Sequence, residues 1–328
     1  MLYDNHGRVI NYLRIAVTDR CNLRCHYCMP EEGITYVDRS DLLTFEELGR
    51  ITKVFAGLGI NKIRITGGEP FLRKGIMQFL DTMVHTDGIH STHITTNGTL
   101  THDKVEEIKD LGISSVNLSL DSLNPERFQE ITRRDTFDQV MTTLTELIEH
   151  DIATKINMVV MSRHNIDDIL PMIELTKHSD ISVRFLEEMP FNGTGSHDDL
   201  KTWNHVQILD YIKEHHPGLR KVVSGPNSTS ADYKIPGYAG SLGIIASFSR
   251  TFCGTCNRIR LTPTGTLKTC LYDDGVFNIR DLMRHGATDE DLVNALTEAL
   301  SHRAKDGYEA ESQRANTLVS ESMATIGG

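Results

Sequence analysis

Six cysteines carry the first chemical signal, because they fall into two groups of three with none left over. Cys21, Cys25 and Cys28 are separated by three residues and then by two. That spacing lets three thiolates from one loop converge on one metal centre. A 4Fe–4S cubane usually takes four cysteines; three leave one iron with an open position, which a catalytic centre needs. The other reading is a structural zinc site with His26 as fourth ligand, although adjacency to Cys25 makes it awkward for His26 to face the same metal. Cys253, Cys256 and Cys270 form the second trio. A zinc knuckle completed by Asp273 or Asp274 is its alternative reading; three cysteines again would leave an iron open, here for a substrate.

Arg258-Ile259-Arg260 follows Cys256 directly. In an extended segment residues two apart face one side, so both guanidiniums would point together beside the second trio. Arginine presents a rigid fork of donors suited to phosphate and to purine acceptors. Arg14 and Arg64 lie on candidate strands entering the rim where Cys21 sits. Four converging arginines are what a polyanionic ligand requires in a chain of formal net charge -11. The same charge argues against a nucleic-acid or membrane-surface binder, whose partners are themselves anionic.

The elements that would position these groups are legible. Candidate strands run over Leu13–Thr18, Lys62–Thr66, His93–Asn97, Ser115–Leu120, Thr154–Met161 and Ser182–Glu187. Helical patterns fit between them: Thr44-Phe45-Glu46-Glu47 is a capping box opening a helix that Gly59 can end, Asn124-Pro125 is a cap with proline at the first helical position, and Lys104–Leu111, Phe137–His150 and Ile166–Lys177 follow. Six strands each followed by a helix imply a parallel sheet, either open and doubly wound or an incomplete barrel. Both place active sites at the carboxyl ends of the strands, where Cys21, Gly67-Gly68 and Thr95 fall. The turn formers of Ser224–Ser230 suggest a boundary or mobile loop. Beyond them lie an extended run at Gly243–Phe248, the second trio, a helix over Asp289–Ser301 and a terminal Gly327-Gly328.

Length and composition fit an ordinary globular protein: 328 residues, 39% hydrophobic and 24% charged. No apolar run approaches the length of a bilayer span and the start is not a signal peptide, so the cytoplasm is the default compartment. There, six cysteines are not presumed to be three disulfides.

The first trio, with Tyr27 before its last cysteine, resembles the C-x3-C-x2-C signature of the radical S-adenosylmethionine superfamily. Thr66-Gly67-Gly68-Glu69-Pro70 resembles that superfamily's Gly-Gly-Glu-Pro segment, whose glycines permit close backbone approach to a ligand. The resemblance implies an α/β fold: an incomplete (β/α)6 TIM-like barrel over residues 1–225, with a C-terminal extension, 226–328, carrying a second iron–sulfur cluster. It also implies a mechanism. A reduced cluster, at the low end of the roughly −700 to +450 mV cluster range, cleaves S-adenosylmethionine to a 5′-deoxyadenosyl radical that abstracts a substrate hydrogen.

The whole chain is similar to the branch of that superfamily that cyclises GTP in the first step of molybdenum cofactor synthesis. The likeness runs from Tyr12-Leu13-Arg14 through Thr95-Thr96-Asn97-Gly98 and Asn117-Leu118-Ser119-Leu120-Asp121 to Cys253–Leu261 and the final Gly-Gly. It implies a lyase that takes the ribose 3′ hydrogen and joins C3′ to guanine C8, giving 3′,8-cyclo-7,8-dihydro-GTP. Cys21, Cys25 and Cys28 would hold one 4Fe–4S cluster and Cys253, Cys256 and Cys270 the other. Tyr27, Gly68, Ser119 and Met189 would touch S-adenosylmethionine. Arg14, Arg64, Thr95, Lys155, Arg258, Ile259 and Arg260 would bind GTP, and Cys21, Cys25 and Cys28 together with Arg258 and Arg260 are counted as catalytic. The resemblance further implies an electron donor, cyclic pyranopterin monophosphate synthase as the downstream enzyme, a homodimer as one possible assembly, and a Gly-Gly tail inserted into the active site. A tail activated for conjugation is the alternative. A radical peptide-modifying enzyme and a non-catalytic zinc-binding protein are the rival functions.

Overall fold

A computed structural model describes residues 1–194, 203–315 and 321–327. Twelve strands among the described residues form one sheet. They are β1 Tyr12–Ala16, β2 Lys62–Thr66, β3 Ser91–Thr96, β4 Ser115–Ser119, β5 Thr154–Val160, β6 Ser182–Glu187, β7 Arg220–Lys221, β8 Ser230–Lys234, β9 Ser241–Ile245, β10 Arg258–Leu261, β11 Thr266–Lys268 and β12 Phe277–Asn278. Their order is β12-β11-β10-β1-β2-β3-β4-β5-β6-β9-β8-β7. The six expected strands are present as consecutive parallel neighbours. Two strands from the last third extend the parallel array, β10 beside β1 and β9 beside β6. Antiparallel pairs finish each edge. The hairpin β7–β8 spans residue 225, so the turn formers of Ser224–Ser230 lie within the sheet's edge.

Alternation within the strands makes two layers. Leu13, Ile15, Ile63, Ile65, Ile94, Val116 and Ile156 are fully buried on the outer face, beneath the helices. Helix Phe45–Gly57 starts with the expected capping box: Thr44 Oγ1 accepts from the Glu47 amide at 3.1 Å and Glu47 accepts from the Thr44 amide at 2.7 Å. It buries Leu48, Ile51 and Phe55 in the core under β1–β3. The helix expected over Ile166–Lys177 is shorter. A 3-10 turn occupies Ile166–Asp168 and the α-helix runs over Ile169–Glu174, with Pro171 in its first turn, where a missing N–H leaves no bond unmade.

The inner face is polar. Arg14, Arg64, Thr95, Asn117, Lys155, Arg184, Ser241, Arg258 and Arg260 line one cavity of about 700 Å³. Residues of β9 and β10, with six strands between them, reach the same space, so the sheet is curled about it. Its two edges remain unjoined, and the result is a partial barrel.

Candidate active site

Strand direction places the two cysteine trios at opposite ends of the cavity. Cys21 lies five residues beyond the carboxyl end of β1. Cys253 and Cys256 precede the amino end of β10, and β10 runs parallel to β1 with Arg258 opposite Tyr12. Cys270 follows β11, which runs antiparallel, and so returns to the same end. All six cysteines nonetheless line the one cavity. The convergence expected of Cys21, Gly67-Gly68, Thr95 and the four arginines is present in this one cavity, whereas the position of the second trio was not specified by the sequence. The first trio caps the carboxyl ends of the strands and the second caps the amino ends, because the final parallel strand enters the sheet after its cysteines.

At the first trio, the glycines answer to a close backbone contact. The Gly68 amide donates to the Thr18 carbonyl at 2.7 Å and the Glu69 amide to the Arg20 carbonyl at 2.8 Å. A Cβ at residue 68 would lie 2.2 Å from the Arg20 carbonyl oxygen. Thr66–Pro70 thus pins the loop that leads into Cys21. Buried Glu69 ties this turn to β3, accepting from the Asn97 amide at 2.7 Å and from Thr96 Oγ1 at 2.9 Å; burial pushes its carboxyl up to about 7. Tyr27 donates from its hydroxyl to Asp121 at 2.8 Å, and Asp121 also accepts from the Val159 amide at 2.8 Å. Burial pushes Asp121 up to about 6. Ser119, Met189, Gly68 and Tyr27 line the cavity here.

Between the trios lies a ladder of cations. Arg260, Arg14 and Arg64 are register partners on adjacent strands, and so are Arg258, Tyr12 and Lys62 one step below. Burial and then Arg260 hold Arg14 well below the ordinary arginine value. Burial and then Arg258 bring Arg260 to about 10. Burial and the charges of Arg184 and Arg64 bring Lys155 down to about 8. Burial alone would raise Tyr12, but Arg64 and Arg14 overcome it and bring the phenol to about 7; Arg64 Nε donates to its hydroxyl at 2.7 Å. Arg64 also donates to the Ile94 carbonyl at 2.8 Å and to Thr95 Oγ1 at 3.3 Å. Like charges on neighbouring strands repel, and a polyanion between them would relieve that repulsion.

Ile259 lies in the hydrophobic core, so its side chain faces away from the cavity and only its main chain is on the inner side. Tyr12, Lys62, Arg184 and Asp121 line the cavity but were not singled out in the sequence. The signal for Lys62 and Tyr12 was their position two residues before Arg64 and Arg14, on the same strand face.

The residues fit iron–sulfur clusters better than single zinc ions. His26 Nε2 bonds to the Glu130 carbonyl at 2.9 Å and its ring meets His164 edge-on, away from the cavity. Asp273 accepts from the Thr269 and Cys270 amides at 2.8 Å, and Asp274 pairs with Arg314 at 2.7 Å. Neither trio therefore has its proposed fourth ligand. Among the described residues no three His, Cys, Asp or Glu groups close around a point the size of one ion, whereas a cubane holds its thiolates farther apart. Burial raises Cys25 and Cys28 well up and Cys21 to about 11; as thiolates they need a cationic centre to neutralise them. Burial would also raise Cys256, but Arg258 and Arg303 bring it to about 6.

The tail enters the same space. Ser322 Oγ donates to the Cys28 carbonyl at 2.6 Å, and the Gly327 carbonyl accepts from Arg260 Nη1 at 2.6 Å. A Cβ at 327 would lie 2.8 Å from Ala16 Cβ, so glycine fits where another residue crowds the wall. Gly328 lies outside the described residues.

A partial barrel with a three-cysteine loop after its first strand and a pinned Gly-Gly turn after its second defines a radical S-adenosylmethionine enzyme. Residues 15–176 match the Radical SAM superfamily model and residues 181–309 the model described as Molybdenum Cofactor Synthesis C. A GTP 3′,8-cyclase of Syntrophomonas wolfei subsp. wolfei is 38% identical over 95% of this chain and 98% of its own. Molybdenum cofactor biosynthesis protein 1 of Bos taurus is 39% identical over 93% of this chain and 48% of its own, so the chain spans about half the length of that relative. The crystal structure of Streptococcus suis SuiB superposes with a TM-score of 0.61 at 14% identity, over 89% of this chain and 66% of that one, a likeness of fold alone. The chain belongs to the GTP 3′,8-cyclase family. The cofactors of that family are two 4Fe–4S clusters, with S-adenosylmethionine as cosubstrate.

Proposed function

We propose that this chain converts GTP to 3′,8-cyclo-7,8-dihydroguanosine 5′-triphosphate, the opening step of molybdenum cofactor synthesis. One observation carries the reading: a row of cations spans a cavity whose two ends are each closed by three cysteines. When bound at Cys21, Cys25 and Cys28, the first cluster would supply the electron for cleaving S-adenosylmethionine, the source of the radical chemistry directed at the ribose 3′ hydrogen. The chain's own residues bind and orient. Cys21, Cys25 and Cys28 hold the first cluster; Tyr27, Gly68, Ser119 and Met189 hold the cosubstrate, with Asp121 fixing Tyr27. Cys253, Cys256 and Cys270 hold the second cluster near the purine. Arg14, Arg64, Thr95, Lys155, Arg258 and Arg260, joined by Lys62 and Arg184, take the nucleotide, with Ile259 contributing main chain only. Asn117 and Asn157 each present a buried side-chain oxygen without a partner; both line the cavity between these sets and suit hydroxyl donors.

The division into a 1–225 core and a 226–328 extension is proposed as functional: the first cleaves the cosubstrate and the second seats the purine. No described helix is long and apolar enough to cross a membrane. We place the protein in the cytoplasm because the six thiols must stay reduced to bind iron; a relative in Arabidopsis thaliana is named as mitochondrial. A low-potential electron donor, a synthase that consumes the product and a homodimer complete the proposal. Anaerobic protein with about eight irons per chain, incubated with GTP, S-adenosylmethionine and a strong reductant, should yield 5′-deoxyadenosine and the cyclised nucleotide. Two zincs per chain, or intact GTP beside full deoxyadenosine production, would reject the reading.

A further inference from the structure

Behind the second trio, on the side away from the cation ladder, lies a buried ionic knot that binds no substrate. Arg303 has five N–H donors, and all five are engaged. Nε donates to the Thr269 carbonyl at 3.0 Å. Nη1 donates to Asp4 Oδ2 and to the Cys256 carbonyl, both at 3.0 Å. Nη2 donates to the Arg258 carbonyl at 3.0 Å and to Cys256 Sγ at 3.2 Å. Asp4 is shared: it also accepts from Arg8 Nε at 2.6 Å. Arg8 in turn donates to the Cys253 carbonyl at 3.0 Å. The Arg303 side chain is 3% exposed and that of Asp4 0%. Two arginines sharing one aspartate therefore grip the main chain of Cys253, of Cys256 and of Thr269, the residue before Cys270.

We propose that Arg303, oriented by Asp4, is the positioning and tuning residue of the second cluster, a role that rests on the reading of that trio as cluster ligands. Its grip on the three ligand segments fixes their separation. Its N–H···S bond and buried positive charge favour the more negative, reduced state, since hydrogen bonds to the sulfurs and net charge set cluster potentials. Only a planar fork reaches five acceptors at once; lysine has three donors on one point. Asp4 works in the opposite sense, because its carboxylate offsets part of the arginine charge.

The test is an EPR-monitored redox titration of the cluster-loaded enzyme, with iron counted in each sample. The signal that changes on adding S-adenosylmethionine belongs to the first cluster; the other belongs to the second. Arg303→Gln should shift the reduced-to-oxidised ratio of the second cluster about tenfold toward oxidised, about 59 mV for one electron; Arg303→Lys, which keeps the charge but loses the fork, should shift it at least threefold the same way, and both should leave the first unmoved. Asp4→Asn should shift it the other way. Should Arg303→Gln lose iron, Arg303→Lys and Asp4→Asn still decide the matter. Retained iron with the second cluster's reduced-to-oxidised ratio moved by less than threefold in both overturns the proposal and leaves Arg303 a scaffold. Wild-type protein with about four irons would instead refute the cluster assignment beneath it.

Discussion

The cation ladder predicts that a residue serving the nucleotide weakens the protein when the nucleotide is absent. Arg260→Met keeps the stem and removes the charge. Adjacent strands lie about 4.8 Å apart, which holds neighbouring guanidiniums roughly 5–7 Å apart. At an effective dielectric near 20 one such neighbour opposes the Arg260 charge by about 2–3 kcal/mol. The descent of Arg260 from 12.5 to about 10, to which burial contributes most and Arg258 next, corresponds to about 3 kcal/mol for burying and crowding that charge together. At neutral pH Arg260 is protonated both folded and unfolded, so the full penalty bears on the fold. It lifts only as pH rises above about 10, where the folded protein loses the proton first. Against this stands the lost bond to the Gly327 carbonyl, a charged hydrogen bond that at a part-buried site takes the low end of the roughly 1.5–3 kcal/mol range. The variant should therefore be more stable by about 1 kcal/mol, melting about 1–2 °C higher for a chain of 328 residues. GTP at a hundred times the wild-type Kd should add about 2.7 kcal/mol to the wild type, and less than about 1 kcal/mol to a variant that binds fiftyfold more weakly. Anaerobic thermal melts of cluster-loaded protein, with and without GTP, measure both. A variant that melts below wild type without nucleotide, or that gains the same rise with GTP, would refute the reasoning.

Three further outcomes are expected. Cys25→Ser should abolish 5′-deoxyadenosine formation, whereas Cys256→Ser should keep part of it and lose cyclised product; product analysis by chromatography separates the two. Lys155, brought down to about 8 by burial and neighbouring cations, should make GTP affinity fall as pH rises through about 8. Calorimetric titration between pH 6.5 and 9.5 should find this fall in the wild type; in Lys155→Arg the fall near 8 should vanish, leaving only the smaller change near 7 expected from Tyr12. In Gly68→Ala the new Cβ meets a backbone oxygen at 2.2 Å, so the Cys21 loop must move, costing about 1–3 kcal/mol. Iron should drop from about eight to about four per chain with the second cluster's signal intact; full iron loading would contradict the pinning role.

Local features were readable because their causes are local. Cysteines spaced by three and two share one loop whatever the rest of the chain does. The Thr44 capping box needs only four residues, and the bounds of β2 and β6 follow from composition and flanking turns. The helix over Ile169–Glu174 was overestimated because Pro171 fits a first turn as readily as it follows an existing one. The glycines of Thr66–Pro70 were visible, but the Arg20 carbonyl they accommodate lies some fifty residues earlier in the chain.

By itself the sequence determined the metal-binding chemistry, the six parallel βα units and the presence of arginines enough for a polyanion. It left undecided where the second trio stands, since strand pairing is a contact between distant segments. Arg258 and Tyr12 are 246 residues apart in number yet become partners; nothing in the residues of either strand names the other. Only when β10 docks beside β1 do the two trios close opposite ends of one cavity, with three arginines side by side between them. Whether a buried arginine such as Arg303 is a cluster partner or an ordinary core ion pair is likewise a matter of which carbonyls and sulfur the fold brings to its five donors.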